Sequence, residues 1–351
     1  MSLAHKINTG LMRFIGLILV ACFGIISSLG TGGDDGDGGG ASPAVYTGLE
    51  TQAVITPGNA KPLADVAFLG VAAGASFSLA VETQPLQEQS RAASIVTITR
   101  LINSALSSLD SQNSLSAAPT GWIETQQPIP GQCGGSVSGS LNVDETDRTF
   151  TGSITFSSWC NFGITLNGGV TYDGTCDAAT FDPDSQTCDI AEITMGFAAF
   201  TTSGDGVSET MTGTIATTVT TTGYENTVNL AIRIDGANIT FKIEDYVVTV
   251  EENSPPGYDT VVVTGNVYHP DYGFAVVSTQ TAVQFYNEAL DSPPLSGVVV
   301  LTGANGTVGP TTATITFVDS TSYEIAVDSD GDGGTDVTWS CSWETDQCSM
   351  V

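Results

Sequence analysis

From residue 134 onward, apolar and polar side chains alternate along the chain with a period of two. Successive side chains of a strand point to opposite faces of a sheet, so this pattern predicts strands with one buried and one wet face. The clearest runs are 228–234 and 239–244, and Asp235-Gly236 between them predicts a hairpin turn. Similar runs occur at 136–143, 150–156, 190–200, 211–219, 261–268, 274–283, 298–301, 314–318 and 323–327. Their spacing predicts a mainly β fold, a large antiparallel meander that forms a sandwich or a barrel.

The helical signals precede these strands. Thr56-Pro57 is typical of an N-cap followed by proline at the first helical position, and it predicts a helix that continues through Leu69. Pro62 must then fall within the first turns, because a proline deeper inside breaks a helix. A second helix is predicted over residues 86–109, where apolar residues recur at steps of three and four. We therefore expect one or two helices in the N-terminal part, packed on the sheet.

The N-terminus is typical of an export signal. Lys6 and Arg13 form a positive region, and the apolar run 14–29 that follows is short for a membrane-spanning helix. Small residues at the end of the run predict cleavage before Thr31. Residues 31–44 are rich in Gly and Asp and lack apolar periodicity, which predicts a flexible linker.

A second processing route competes with cleavage after the signal. Residues 19–22, with the sequence LVAC, resemble the lipobox of bacterial lipoproteins, whose cysteine is lipidated and becomes the new N-terminus. If Cys22 is lipidated, the other cysteines form an even set for disulfides in an oxidising compartment. The apolar residues directly after Cys22 instead favour a signal that is removed whole, so both routes stay open. Because short loops bring neighbouring cysteines together, we expect the pairs Cys133–Cys160, Cys176–Cys188 and Cys341–Cys348.

The charge balance narrows the range of partners. Eight Lys and Arg face 38 Asp and Glu, which gives a formal net charge of −30 at pH 7. A surface this negative repels nucleic-acid phosphates and anionic lipid headgroups. We therefore expect no nucleic-acid partner, and contact with a membrane only through a lipid anchor. Aromatic residues, at 8% of the chain, are too few for the interface girdles of an outer-membrane barrel.

The sharpest motif is the run 328–336, with the sequence DSDGDGGTD. Calcium takes about six to eight oxygen ligands, and alternating carboxylates on a tightly curled loop supply them. A glycine at the sixth position permits the sharp bend. We expect Ca²⁺ to be bound by the side chains of Asp328, Asp330, Asp332 and Asp336 and by the carbonyl oxygen of Gly334.

The surroundings of this motif favour a hairpin loop over an EF-hand. An EF-hand needs an acid at its twelfth position, which here is Trp339. The shorter form resembles the calcium hairpin loops of integrin-type FG-GAP propellers. Apolar residues alternate over 323–327 before the loop and over 337–343 after it. The loop is therefore predicted at the tip of a β-hairpin.

Several other short stretches carry a second resemblance. They are ITPGNA at 55–60, CGG at 133–135, YHPDYG at 268–273 and the Asp-rich hairpin near the end of the chain. Together they are similar to a group of uncharacterised bacterial exported proteins and lipoproteins. The resemblance implies an envelope location and supplies no activity.

Catalytic signals are sparse. His5 lies in the export signal, so a Ser-His-Asp arrangement would have to use His269. One histidine, with cysteines expected in disulfides, leaves too few ligands for zinc. We expect a non-enzymatic envelope or surface protein with a binding or structural role and Ca²⁺ as a structural cofactor. Two alternatives stay open: an enzyme that acts on polysaccharide through a pair of carboxylates, and a carrier of apolar ligands inside a barrel.

The expected organisation has four parts. They are a signal segment at 1–30, a linker at 31–44, a helix-containing N-terminal part at 45–120 and an antiparallel β domain at 121–351. We expect the protein to be exported. It is then attached to the outer membrane as a lipoprotein, located in the periplasm, or displayed at the cell surface or secreted.

Overall fold

The structure is a computed structural model of the chain. It describes residues 41–75, 115–118, 121–125, 128–161, 163–182, 189–204, 207–286, 293–343, 345 and 347–351. Helix α1 covers Ala60–Ala75, and the strands follow it. The strands are β1 (Leu115–Ala118), β2 (Gly121–Thr125), β3 (Ile129–Pro130), β4 (Gly134–Asp144), β5 (Thr149–Asn161), β6 (Ile164–Cys176), β7 (Ile190–Gly204), β8 (Val207–Val219), β9 (Gly223–Ile234), β10 (Ile239–Glu251), β11 (Tyr258–His269), β12 (Gly273–Tyr286), β13 (Ser296–Asn305), β14 (Pro310–Asp319), β15 (Ser322–Asp328), β16 (Val337–Ser342) and β17 (Cys348–Met350).

These strands form one antiparallel sheet in which nearly every strand pairs with the next one along the chain. Strand β2 pairs with β4, and the short β3 adds to the same strand. Within the described residues β1 pairs only with β2, β17 pairs only with β16, and no ladder joins these two edges. The predicted mainly β fold built from a large antiparallel meander is confirmed, and its sheet is open.

A line of β-bulges crosses the middle of the sheet. The pairing register shifts in β5, β6, β7 and β10. Left-handed backbone occurs at the same places, at Ser158 (φ 49°), Gly168 (φ 111°), Ala199 (φ 52°) and Asp245 (φ 48°). Asn229 Oδ1 supports the last of these by accepting the backbone N–H of Asp245 at 2.8 Å. Because a bulge bends its strand and increases the local twist, the aligned bulges curve the sheet.

The curved sheet encloses one hydrophobic core, and helix α1 lies in it. Inward-facing side chains of strands β3 to β16 join a single cluster with buried residues of the helix. The fully buried Tyr246 of β10 donates its hydroxyl to the carbonyl oxygen of Ala67 at 3.1 Å. Its ring fills the space that a side chain at Gly70 would need. Burial raises the pKa of the Tyr246 hydroxyl, so the group remains a donor to the helix.

Helix α1 begins at Ala60, later than the sequence pattern predicts, although the carbonyl of Thr56 already accepts the backbone N–H of Ala60 at 3.0 Å. The side chain of Asn59 accepts the backbone N–H of Thr56 at 2.8 Å. Within the helix, the Leu63 N–H donates to the Asn59 carbonyl at 3.1 Å. Pro62 lies in the first turn, where backbone N–H groups have no helical partner, so it does not break the helix.

Residues 41–55, here called the strap, cross one end of the sheet before the helix. The backbone N–H of Ala44 donates to Thr212 Oγ1 on β8 at 2.9 Å. At the far end of the strap, the N–H of Ile55 donates to Thr311 Oγ1 of β14 at 2.8 Å. The strap therefore ties distant strands together and carries the chain to the concave face.

Two of the predicted disulfides are present. Cys133, just before β4, is bonded to Cys160 of β5 with their Cα atoms 5.1 Å apart. Cys341 and Cys348 are direct cross-strand partners on β16 and β17, with Cα atoms 4.0 Å apart. Cys176 is also disulfide-bonded, and its pairing stays a prediction. Disulfides fit an oxidising compartment outside the cytoplasm.

Several predictions fall outside the described residues. These are the signal segment 1–30, the lipidation candidate Cys22, the linker up to residue 40, the helix over 86–109 and Cys188. In the part of the chain that is described, no helix has the length and the apolar character needed to cross a membrane.

Candidate metal centre

The Asp-rich loop lies at the tip of the β15–β16 hairpin, as the alternating pattern predicts. Val327 of β15 pairs directly with Val337 of β16. The backbone N–H of Asp336 closes the loop by donating to the carbonyl of Val327 at 2.8 Å. Both strands have inward side chains buried in the core, Ile325 among them. The loop 328–336 is therefore held at both ends by a fixed hairpin.

The first aspartate folds the loop around its own carboxylate. Asp328 Oδ1 accepts the N–H of Gly331 at 2.7 Å, and its Oδ2 accepts the N–H of Gly333 at 2.9 Å. Both glycines have left-handed backbone, with φ of 79° and 86°. Glycine adopts this conformation without steric cost, which explains why the motif alternates aspartate with glycine here.

The next two aspartates continue the curl, and a neighbouring loop supports it. Asp330 Oδ1 accepts the N–H of Asp332 at 3.1 Å, and Asp332 Oδ1 accepts the N–H of Gly334 at 2.6 Å. The carbonyl of Asp330 accepts the N–H of Val308, from the β13–β14 turn, at 2.8 Å. Asp330 is therefore held in position by hydrogen bonds to its side chain and to its backbone carbonyl.

These bonds bring three carboxylates together. One side-chain oxygen from each of Asp328, Asp330 and Asp332 lies within 4.8 Å of the others. Asp328 is 8% exposed, Asp330 is half-buried and Asp332 is exposed. None of the ion pairs among the described residues involves this group. Like charges so close repel one another, and a bound cation would replace this repulsion with attraction. The all-oxygen donor set suits Ca²⁺ or Mg²⁺.

The other two predicted ligands are placed differently. Asp336 lies outside the triplet, and its Oδ2 accepts the hydroxyl of Ser329 at 2.6 Å and the backbone N–H of Ser329 at 2.8 Å. These two hydrogen bonds lower the pKa of the exposed Asp336 carboxyl. Gly334 contributes its N–H to Asp332, and coordination through its carbonyl stays a prediction. Ser329, the second residue of the motif, therefore occupies Oδ2 of Asp336, a role that the metal motif does not reveal.

His269, the histidine weighed for catalysis, ends strand β11. Its ring is 9% exposed and lies against the rings of Phe241 and Tyr272, with centroids 5.3 and 4.4 Å away. Its Nδ1 accepts the backbone N–H of Asp271 at 3.2 Å. Burial lowers the pKa of the imidazole, against the opposing charge of Asp271. The side chain thus holds the β11–β12 turn in place.

Comparison with known proteins identifies no relative of this chain. No protein-family model, no curated protein and no solved structure matches the chain. The resemblances to bacterial exported proteins and to FG-GAP calcium loops therefore stay predictions from short motifs.

Proposed function

We propose that the protein is a non-enzymatic component of the cell envelope or surface, with a binding or structural role, and that its Asp-rich loop binds Ca²⁺ as a structural ion. The convergence of the Asp328, Asp330 and Asp332 carboxylates within 4.8 Å carries the calcium part of the proposal. The disulfides support a location outside the cytoplasm.

Calcium suits this loop better than magnesium. Ca²⁺ accepts irregular arrangements of oxygens, including backbone carbonyls and water, whereas Mg²⁺ demands near-octahedral geometry and gives up its water reluctantly. The three carboxylates leave room for water, because Asp332 is exposed and Asp330 is half-buried. An ion at this place would fix the first half of the β15–β16 loop, which already contacts the β13–β14 turn through the Asp330 carbonyl.

Calcium titration of the chelator-treated protein tests the proposal. An ion that binds only the folded state raises the free energy of unfolding by about 2.7 kcal/mol at a hundredfold excess over its Kd. We expect the thermal midpoint to rise with Ca²⁺ and to rise less with Mg²⁺. Isothermal calorimetry on the same samples should give one site per chain.

Two matched variants separate ion binding from general charge effects. Asp330→Asn keeps the acceptor for the Asp332 N–H but removes a charge from the triplet, so it should abolish most of the calcium shift. Asp319→Asn is the control, because Asp319 is an exposed aspartate in the β14–β15 turn, at the other end of β15, and accepts the N–H groups of Thr321 and Ser322. A wild-type thermal midpoint that does not change with Ca²⁺, or an equal calcium shift in both variants, contradicts the calcium assignment.

The envelope location has its own test. Intact-mass analysis of protein purified from the envelope fraction should show a chain that has lost its N-terminal signal. A start at acylated Cys22 supports attachment as a lipoprotein, and a start at Thr31 supports release into the periplasm or the exterior. A mature chain that retains Met1 contradicts both routes.

A further inference from the structure

A row of neighbouring residues on the concave face carries polar groups without hydrogen-bond partners. The row runs from Trp159 of β5 through Leu166 of β6 and Thr202 of β7 to Glu209 of β8, and each residue pairs directly with the next. Five buried side-chain atoms lack a partner in the described part of the chain. Four of them belong to this row: Trp159 Nε1, Thr202 Oγ1 and both carboxyl oxygens of Glu209.

The row is sealed from solvent by apolar neighbours. Trp159 and Glu209 are each 2% exposed, and Thr202 is 3% exposed. The next inward pair along β7 and β8 is Phe200 with Met211, and both side chains are buried. Bulk water therefore does not reach these polar atoms in the folded state, although the protein supplies no partner for them.

The large majority of buried polar groups in native proteins have a hydrogen-bond partner, and ordered water is the usual partner where the protein offers none. Thr202 and Glu209 are opposite each other on adjacent strands, so their Cβ atoms are about 5 Å apart. One water molecule can bridge two side chains at that separation. The indole N–H of Trp159 is a third donor to the same row, from the far side of Leu166.

We propose that Trp159, Thr202 and Glu209 form an internal binding site for water, in which Glu209 takes part as an uncharged carboxylic acid. An uncharged carboxyl group offers one O–H donor as well as acceptor oxygens, so it can both give and receive a hydrogen bond. A hydroxyl and an indole N–H complete a set that suits water, which also donates and accepts.

The charges around Glu209 agree with the uncharged form. Burial, and after it the negative charge of Asp235, raises the pKa of Glu209 well above its ordinary value. Arg233 of the adjoining strand does not neutralise Glu209, because its Nε lies 2.7 Å from Asp235 Oδ1. Its Nη2 also donates to Thr210 Oγ1 at 3.1 Å. No positive group is therefore held against Glu209 by the described contacts.

A crystal structure of the wild-type protein at high resolution is the direct test. We expect an ordered water molecule within hydrogen-bond distance of both Thr202 Oγ1 and the Glu209 carboxyl group. A direct hydrogen bond between these two side chains, or a row without any ordered water, overturns the proposal. This experiment needs no variant and therefore does not depend on how a substitution folds.

Infrared difference spectroscopy tests the state of the acid. The wild-type protein should show the carbonyl stretch of a protonated carboxyl group at neutral pH, and Glu209→Gln should lose it. Glu225→Gln is the matched control and should keep the band, because Glu225 is exposed on the neighbouring strand β9. Thr202→Val should shift the band, since the bridging water loses one partner. A missing wild-type band, or a band that ignores Thr202→Val, contradicts the site.

Discussion

At the tip of the β15–β16 hairpin, the carboxylates of Asp328, Asp330 and Asp332 each accept at least one backbone N–H, whereas the carboxyl group of Glu209 on β8 accepts none. The backbone explains this difference. Loop peptides have N–H groups that no ladder uses, so short acidic side chains can curl back onto them. On β8 the ladders with β7 and β9 occupy the backbone on both sides of Glu209.

The two regions therefore set the charge of a carboxyl group in opposite directions. In the loop, hydrogen bonds from Ser329 lower the pKa of Asp336 and favour its charged form, whereas burial without donors raises the pKa of Glu209 on β8 and favours its neutral form. A cluster of charged carboxylates attracts a cation, whereas a neutral carboxyl group in an apolar setting attracts water. This contrast connects the proposed calcium site to the proposed water site, although neither depends on the other.

The largest expected effect is the loss of Asp328. Asp328→Ala removes two hydrogen bonds to a charged group and frees two glycine N–H groups, so we expect the free energy of unfolding to fall by about 2 to 3 kcal/mol in chelator. Denaturant unfolding measures this loss. Asp332→Ala is the control, because Asp332 is exposed and accepts one N–H. Equal losses in the two variants contradict the idea that Asp328 organises the loop.

The second largest effect is a gain in the free energy of unfolding when Glu209 is replaced. Glu209→Gln keeps the shape of the side chain and leaves it an uncharged donor and acceptor, but it removes the need to neutralise an acid on folding. We expect the free energy of unfolding at pH 7 to rise, because the amide, unlike the acid, does not have to take up a proton on folding. The exposed Glu225→Gln should change it by less than about 0.5 kcal/mol. Destabilisation by Glu209→Gln would mean that Glu209 is charged and paired in the folded protein.

The pH dependence of stability should separate the two regions. Because the pKa of Glu209 is raised above its ordinary value of 4.5 in the folded state, the folded protein keeps this proton to a higher pH than the unfolded chain does. The free energy of unfolding therefore decreases as the pH rises above 4.5, and Glu209→Gln should remove that decrease. The lowered pKa of Asp336 acts in reverse, since its contribution is present above 3.8 and is lost as the pH falls through the folded pKa. Unfolding curves across this range, in chelator, measure both slopes.

Much of the sheet follows from alternation, but strand β6 does not. Ile164–Cys176 contains Gly168, Gly169 and Gly174, which weaken the pattern of a strand. The structure uses two of these glycines for tertiary reasons. Gly168 forms a bulge with φ of 111°, and Gly174 lies against the ring of Phe150, where a side chain has no room. Such demands come from neighbouring strands, so local sequence does not reveal them.

The two candidate sites also differ in how far the local sequence predicts them. The triplet at 328–332 can be predicted because its spacing lies within one loop, where a few peptides set the geometry. Glu209 faces inward with Met211 by the alternation of β8, but its pairing with a second buried polar side chain depends on Thr202, which faces inward only because the bulge at Ala199 reverses the alternation along β7. A bulge placed by tertiary contacts hides this arrangement from a pattern of period two.

The smallest expected effect concerns Ser329 and decides whether Asp336 belongs to the metal site. Ser329→Ala removes the hydroxyl that contributes most to the lowered pKa of Asp336, so this pKa should rise toward its ordinary value of 3.8. NMR titration of the carboxyl carbon measures the shift, with Asp319 as an internal control whose donors, Thr321 and Ser322, are untouched. If Asp336 binds calcium through Oδ2, the ion competes with Ser329 for that oxygen, so Ser329→Ala should also tighten calcium binding. An unchanged Kd together with a raised pKa would show that Asp336 closes the loop without touching the ion.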